Sequence, residues 1–154
     1  MRPLLILLLF CELWIVQARR SFDYGVKHGD QEIPFENGWS AVTLSVPVVY
    51  NERPESNLHI SPNGLLSFQD VDTDDVVPLG RLNRSAIAVF YAPAASGTIY
   101  YRSVSGKENP VLLRLTGRIR NDFSDDKDFV ALQAVIVTWK DMKNKENQGE
   151  NTFQ

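Results

Sequence analysis

Cysteine is almost missing from this chain. The single one, Cys11, lies in an apolar leader, so the residues that follow carry no thiol. That excludes disulfide staples, thiol nucleophiles and thiolate metal sites. Histidine is nearly as scarce: His28 and His59 stand far apart, a poor basis for zinc. The sequence has no glycine-rich phosphate loop, dinucleotide fingerprint or G-x-S-x-G elbow. Spacing does not exclude a serine–histidine–aspartate triad, but no motif marks any serine as a nucleophile. Paired carboxylates for glycoside hydrolysis cannot be singled out among the acids either. The residues read as those of a non-enzyme with no cofactor. Charge imbalance is also lacking: the net charge of −3 is spread along the chain, without a nucleic-acid or membrane-surface footprint.

Long apolar runs are absent except at the start. Arg2 forms a short basic region, residues 4–11 are unbroken apolar, and Val16-Gln17-Ala18 resembles a small-residue cleavage site. That is the layout of a secretory signal peptide. A membrane span needs roughly 20 apolar residues, and Glu12 interrupts this run early. The reading is a signal peptide over residues 1–18, cleaved after Ala18, and a secreted chain with no membrane span. The remainder suits one domain, residues 22–154, long enough for a core without disulfides. Its only N-glycosylation sequon, Asn83-Arg84-Ser85, follows a proline–glycine loop, so Asn83 is expected to carry a glycan.

What is present is a series of short apolar stretches divided by turn residues, which favours β structure. Residues 42–50 read as a strand in which Pro47 marks an edge or a bulge. Residues 58–60 and 65–68 flank "SPNG", whose proline and glycine positions suit a type I turn and hence a hairpin. Two further strands are expected at 86–91 and 98–104. Residues 129–139 form the longest strand, apolar on both faces and so central. The stretch "NPVLLRLTGRIRNDF", 109–123, alternates by two yet also places Leu112, Leu115, Ile119 and Phe123 on one helical face. Asn109 as N-cap and Pro110 at the first helical position favour the helix. The fold class is mainly β: an antiparallel, sandwich-like sheet domain with one amphipathic helix over about residues 110–123. The alternative is α+β.

"DVDTDD", 70–75, is the most metal-like stretch, and Asp70, Asp72 and Asp74 are a weak calcium candidate. Counted as an EF-hand loop, however, it has Asp75 where glycine belongs and Arg81 where glutamate belongs. A solvated acidic turn is the better reading. Asp122, Asp125, Asp126 and Asp128 read as a second solvated loop. Large aromatics on strands serve core packing more often than binding. In the pairs Phe90-Tyr91 and Tyr100-Tyr101 one ring points outward, which makes Tyr91 and Tyr101 the candidate interaction surface.

Several stretches, in order, resemble the NIDO domain, the extracellular module named from nidogen and found also in alpha-tectorin and some membrane-bound mucins. "LHISPNGLLSF" (58–68), "IAVFYAPAASGTIYYR" (87–102), the helix at 112–123, "VTW" (137–139) and "NTFQ" (151–154) carry the resemblance. Where the family often has an acidic "ADVD", residues 92–95 read "APAA", so any role of those acids does not carry over. The resemblance implies a secreted, non-enzymatic module in cell–matrix adhesion, with matrix or cell-surface proteins as partners. The rival is a carbohydrate- or calcium-binding, lectin-like domain. "NTFQ" is expected to pair beside residues 135–139 after a loop over 141–150. The chain is then expected to stop inside the domain, leaving an open sheet edge that would permit self-association.

Overall fold

In the computed structural model, residues 22–69, 78–82, 85–146 and 151–154 are described. Alternation of buried and exposed side chains builds the longest strand of the first half, β2 (Ser40–Tyr50), in which Val42 and Leu44 point inward. Pro47 cannot donate to a ladder, and the register with the next strand, β3 (Arg53–Ile60), shifts between Thr43 and Val48 as a bulge requires. Asn51 and Glu52 close this hairpin with positive φ angles of 48° and 64°, the signature of a primed turn. The "SPNG" turn then leads into β4 (Leu65–Ser67), antiparallel to β3, and β4 pairs β5 (Ala86–Ala88).

The second sheet takes its strands from the chain's two halves. β1 (Gln31–Ile33) pairs β6 (Ser96–Ser105), β6 pairs β7 (Gln133–Lys143), and β7 pairs β8 (Asn151–Phe153). All are antiparallel, in the order β1-β6-β7-β8, against β2-β3-β4-β5 in the first sheet. The sheets face one another across a shared core. Val42 and Ile60 from one meet Ile33, Ile99, Val137, Trp139 and Met142 from the other. A smaller cluster of Leu44, Leu58 and Phe68 continues it. The fold is mainly β with one helix, a two-sheet sandwich.

The helix, α1 (Pro110–Asp122), starts where the capping pattern places it, and the Asn109 side chain accepts from the Val111 backbone N–H at 2.9 Å. Asn109→Ala should therefore cost about 1 kcal/mol of stability, read as a lower denaturation midpoint; an unchanged midpoint would deny the cap its role. α1 lies against β6 and β7 and buries Leu112. Ile136 and Thr138 alternate with the core-facing Val137 and Trp139, yet both are buried, so the sheet's outer face is covered too. The segment 22–30 covers part of it. Its Asp30 carboxylate, buried, accepts from the Arg102 guanidinium and from the Gly25 N–H, and Phe22 lies under the Arg114 guanidinium of α1, 4.5 Å away. No described helix is long and apolar enough to cross a membrane.

Three expectations need correction. The strand expected over 129–139 begins only at Gln133. Residues 129–131 give their backbone groups elsewhere: Phe129 N–H to Asp126, Ala131 N–H to the Thr116 hydroxyl, and the Phe129 carbonyl to Arg120. The strand expected over 86–91 ends at Ala88, because β4 offers only three residues to pair with. Finally, β7 runs on to Lys143 past a left-handed Asp141 at φ 53°. β8 therefore pairs opposite Trp139 and Met142, overlapping the expected 135–139 only at Trp139.

Candidate functional site

The "SPNG" turn organises one end of the sandwich. Ser61 accepts from its own turn through Oγ, with Asn63 N–H donating at 3.0 Å. The Asn63 side-chain oxygen and backbone oxygen accept from Ala94 and Ala92, at 2.9 and 3.1 Å. The Gly64 carbonyl accepts from both Val89 and Phe90. Four hydrogen bonds thus fix the 89–94 loop on a turn of the first sheet. From the second sheet, the Trp139 indole N–H donates to the Ser61 carbonyl at 2.8 Å, fully buried. Phe153 stacks on Trp139, with ring centroids 5.1 Å apart and planes 18° from parallel. Phe90 also rests on Phe153, 5.0 Å away and tilted.

This ladder of rings forms the wall of a cleft of about 300 Å³. Phe90 and Phe153 supply the aromatic wall, Pro62, Pro93 and Met142 the apolar floor, and Asn63, Asn144, Asn151 and Lys143 the polar rim. The "APAA" stretch lies here, and among the described residues the cleft lining has no carboxylate. Phe90 is 52% exposed. A rigidly backed, exposed ring within a polar rim that carries one cation, Lys143, suits desolvation against a partner.

The residues singled out in the sequence are spread apart. Tyr91 is half-buried in the loop beside Phe90. Tyr101 is half-buried on β6, against the main core, and its hydroxyl donates to Gln31 at 2.6 Å. The structure does not bring the two together in the cleft. Of the first aromatic pair Phe90 is the more exposed; alternation alone could not show that the chain leaves strand geometry at Val89. His28 is exposed in a 3-10 turn and His59 half-buried on β3. Asp122, the last residue of α1, is exposed, as are Asp125, Asp126 and Asp128 after it. Ala18, the calcium candidate Asp70, Asp72 and Asp74, and the glycosylation candidate Asn83 lie outside the described residues. Among the described residues no group of three acids or histidines could hold a metal. Near the N-terminal segment, burial and then the neighbouring Glu32 raise the Tyr100 phenol above its ordinary pKa. The hydrogen bond and charge of Asp141 raise Lys140.

Two four-stranded sheets, one helix and an aromatic-walled cleft define, among the described residues, a mainly-β sandwich with a surface suited to recognition. The chain belongs to the nidogen-like domain family, whose pattern matches residues 56–154. Alpha-tectorin of Gallus gallus is 32% identical over 75% of this chain, and nidogen-2 of Mus musculus 30% identical over 98%. The nidogen of Drosophila melanogaster is 27% identical over 72%. The chain spans 6%, 12% and 9% of those relatives' own lengths, respectively. No solved structure matches it. Family membership places the chain outside the cell, as a module of the extracellular-matrix kind.

Proposed function

We propose that this chain is a secreted, non-enzymatic adhesion module that binds matrix or cell-surface proteins through the cleft beside the "SPNG" turn. The signal peptide is removed after Ala18, the folded unit runs over residues 22–154, and Asn83 carries a glycan. The observation that carries the reading is Phe90, a half-exposed ring held on Phe153 and Trp139. Hot spots have this anatomy: an aromatic anchor on a rigid base with a polar rim that excludes water. Tyr91 and Tyr101 add half-buried aromatic surface on the same loop and on β6.

The test is attachment of cells, and of purified matrix proteins, to surfaces coated with the secreted chain. Phe90→Ala should weaken binding about thirtyfold, the equivalent of roughly 2 kcal/mol, while a thermal melt confirms that the variant still folds. Equal attachment to both proteins would reject the cleft as the binding site.

A carbohydrate- or calcium-binding, lectin-like function is the second reading. Asn63, Asn144 and Asn151 around Phe90 favour it, because amides beside an aromatic face suit a neutral sugar. A rise in melting temperature with millimolar calcium, or a glycan retained on an array, would favour this reading over protein adhesion.

A further inference from the structure

The chain after Cys11 has no thiol, so no disulfide fastens its N-terminal segment. Residues 22–30 nevertheless lie across the outer face of the second sheet, held at both ends. At one end the Phe22 N–H donates to the Gln154 side-chain oxygen at 2.7 Å, and the Gln154 amide donates back to the Phe22 carbonyl at 3.1 Å. At the other, the buried Asp30 carboxylate accepts from the Arg102 guanidinium and the Gly25 N–H. Between these anchors Tyr24 faces Tyr100 of β6, with ring centroids 6.3 Å apart and planes 32° from parallel. That separation is within the span of aromatic pairs in contact.

Three features set this pair apart from an ordinary packing contact. Both rings are half-buried on the wall of an open pocket of about 560 Å³, bounded by residues 22–28 and Lys140, so small oxidants reach them. Glu32 stands directly opposite Tyr100 on β1, and the Tyr100 phenol donates to its carboxylate. A base in that position takes the phenolic proton as an electron leaves the ring. The two tyrosines are also far apart in sequence, and a bond between them closes a loop of about 75 residues.

We propose that Tyr24 and Tyr100 are a site of oxidative cross-linking, in which a carbon–carbon bond between the rings staples the N-terminal segment to the second sheet. Each phenol gives up one electron and one proton, and the two phenoxyl radicals couple through the ring carbons beside their oxygens. The hydrogen on each coupled carbon then leaves as a proton and returns to the oxygen, which restores both phenols. The chain loses two hydrogens in all. One hydrogen peroxide, acting through a peroxidase, takes them and becomes two waters. Tyr101 neighbours Tyr100 but is differently placed: its ring packs on the main core and its hydroxyl donates to Gln31. The site shares no lining residue with the cleft, so the inference is independent of the adhesion reading.

The test treats the secreted chain with hydrogen peroxide and a haem peroxidase, dilute enough that chains rarely meet. The expected result is the blue fluorescence of dityrosine and a chain two hydrogens lighter that stays monomeric on a denaturing gel. Peptide mapping should find Tyr24 joined to Tyr100. Closing so long a loop should raise the melting temperature by roughly 10 °C. Tyr24→Phe and Tyr100→Phe each keep the ring; both should melt much as the unmodified chain does before treatment, and neither should gain fluorescence. Tyr101→Phe should cross-link as fully as the unmodified chain. No fluorescence, a bond between other tyrosines, coupling between chains instead of within one, or an unchanged melting temperature would each overturn the proposal.

Discussion

Trp139→Ala should remove about 4–6 kcal/mol of stability, most of what a domain of this size has. Trp139 is 1% exposed and sits where the sheets meet, among Ile33, Ile60 and Ile99. Truncating a large buried aromatic to alanine costs roughly 3–5 kcal/mol through lost transfer energy and the cavity left behind. A second loss adds to this. Ser61 is as buried as Trp139, and its carbonyl, which also accepts from the Gly64 N–H, would lose the shorter of two hydrogen bonds, a loss of about 1 kcal/mol. Trp139→Phe separates the two contributions, because it keeps most of the apolar volume and removes the N–H; about 2–3 kcal/mol is expected. Urea denaturation followed by circular dichroism measures both variants. A loss below about 1.5 kcal/mol for the alanine variant would show that the sheets are held together elsewhere.

The same tryptophan shows how far the sequence could be read. "VTW" and "NTFQ" were expected to meet, and Trp139 does pair with Phe153. The helix was legible because Asn109 and Pro110 mark its start more sharply than any periodicity. The bulge at Pro47 and the "SPNG" hairpin were legible for the same reason: proline and glycine restrict the backbone locally. Elements that depend on distant partners were not. β1 has one buried residue, Ile33, and exists because β6 offers it a ladder. The polar first half of β3 is held by the Asn51-Glu52 turn, which has no glycine to announce it. Residues 129–132 have strand composition, but side chains of α1 take their backbone groups, leaving Val130 and Leu132 exposed. The cleft was hidden similarly. Its residues come from 62–63, 90–94, 142–144 and 151–153, and only the packing of one sheet on the other assembles them.

Gly64→Ala is expected to cost about 2–5 kcal/mol, for two reasons that a control can separate. Gly64 has φ +78°, the left-handed region, where a Cβ costs roughly 1–2 kcal/mol. It also faces the 89–94 loop at very close range. A Cβ there would fall inside the contact radius of the Phe90 carbonyl oxygen and 3.3 Å from the Phe153 ring. The backbone of Phe90 would have to move, and with it the N–H groups of Val89 and Phe90 that donate to the Gly64 carbonyl. Overpacking of this kind adds about 1–3 kcal/mol, and the melting temperature should fall by roughly 10–20 °C. Gly29 is the control, since it has φ +84° and nothing within 4 Å of the position its Cβ would take. Gly29→Ala should therefore lose only the backbone share, about 1–2 kcal/mol. The surplus at Gly64 measures how firmly the turn holds the loop that carries Phe90. Equal losses at the two glycines would mean that the turn does not hold that loop, and the rigid base assigned to the Phe90 anchor would be gone.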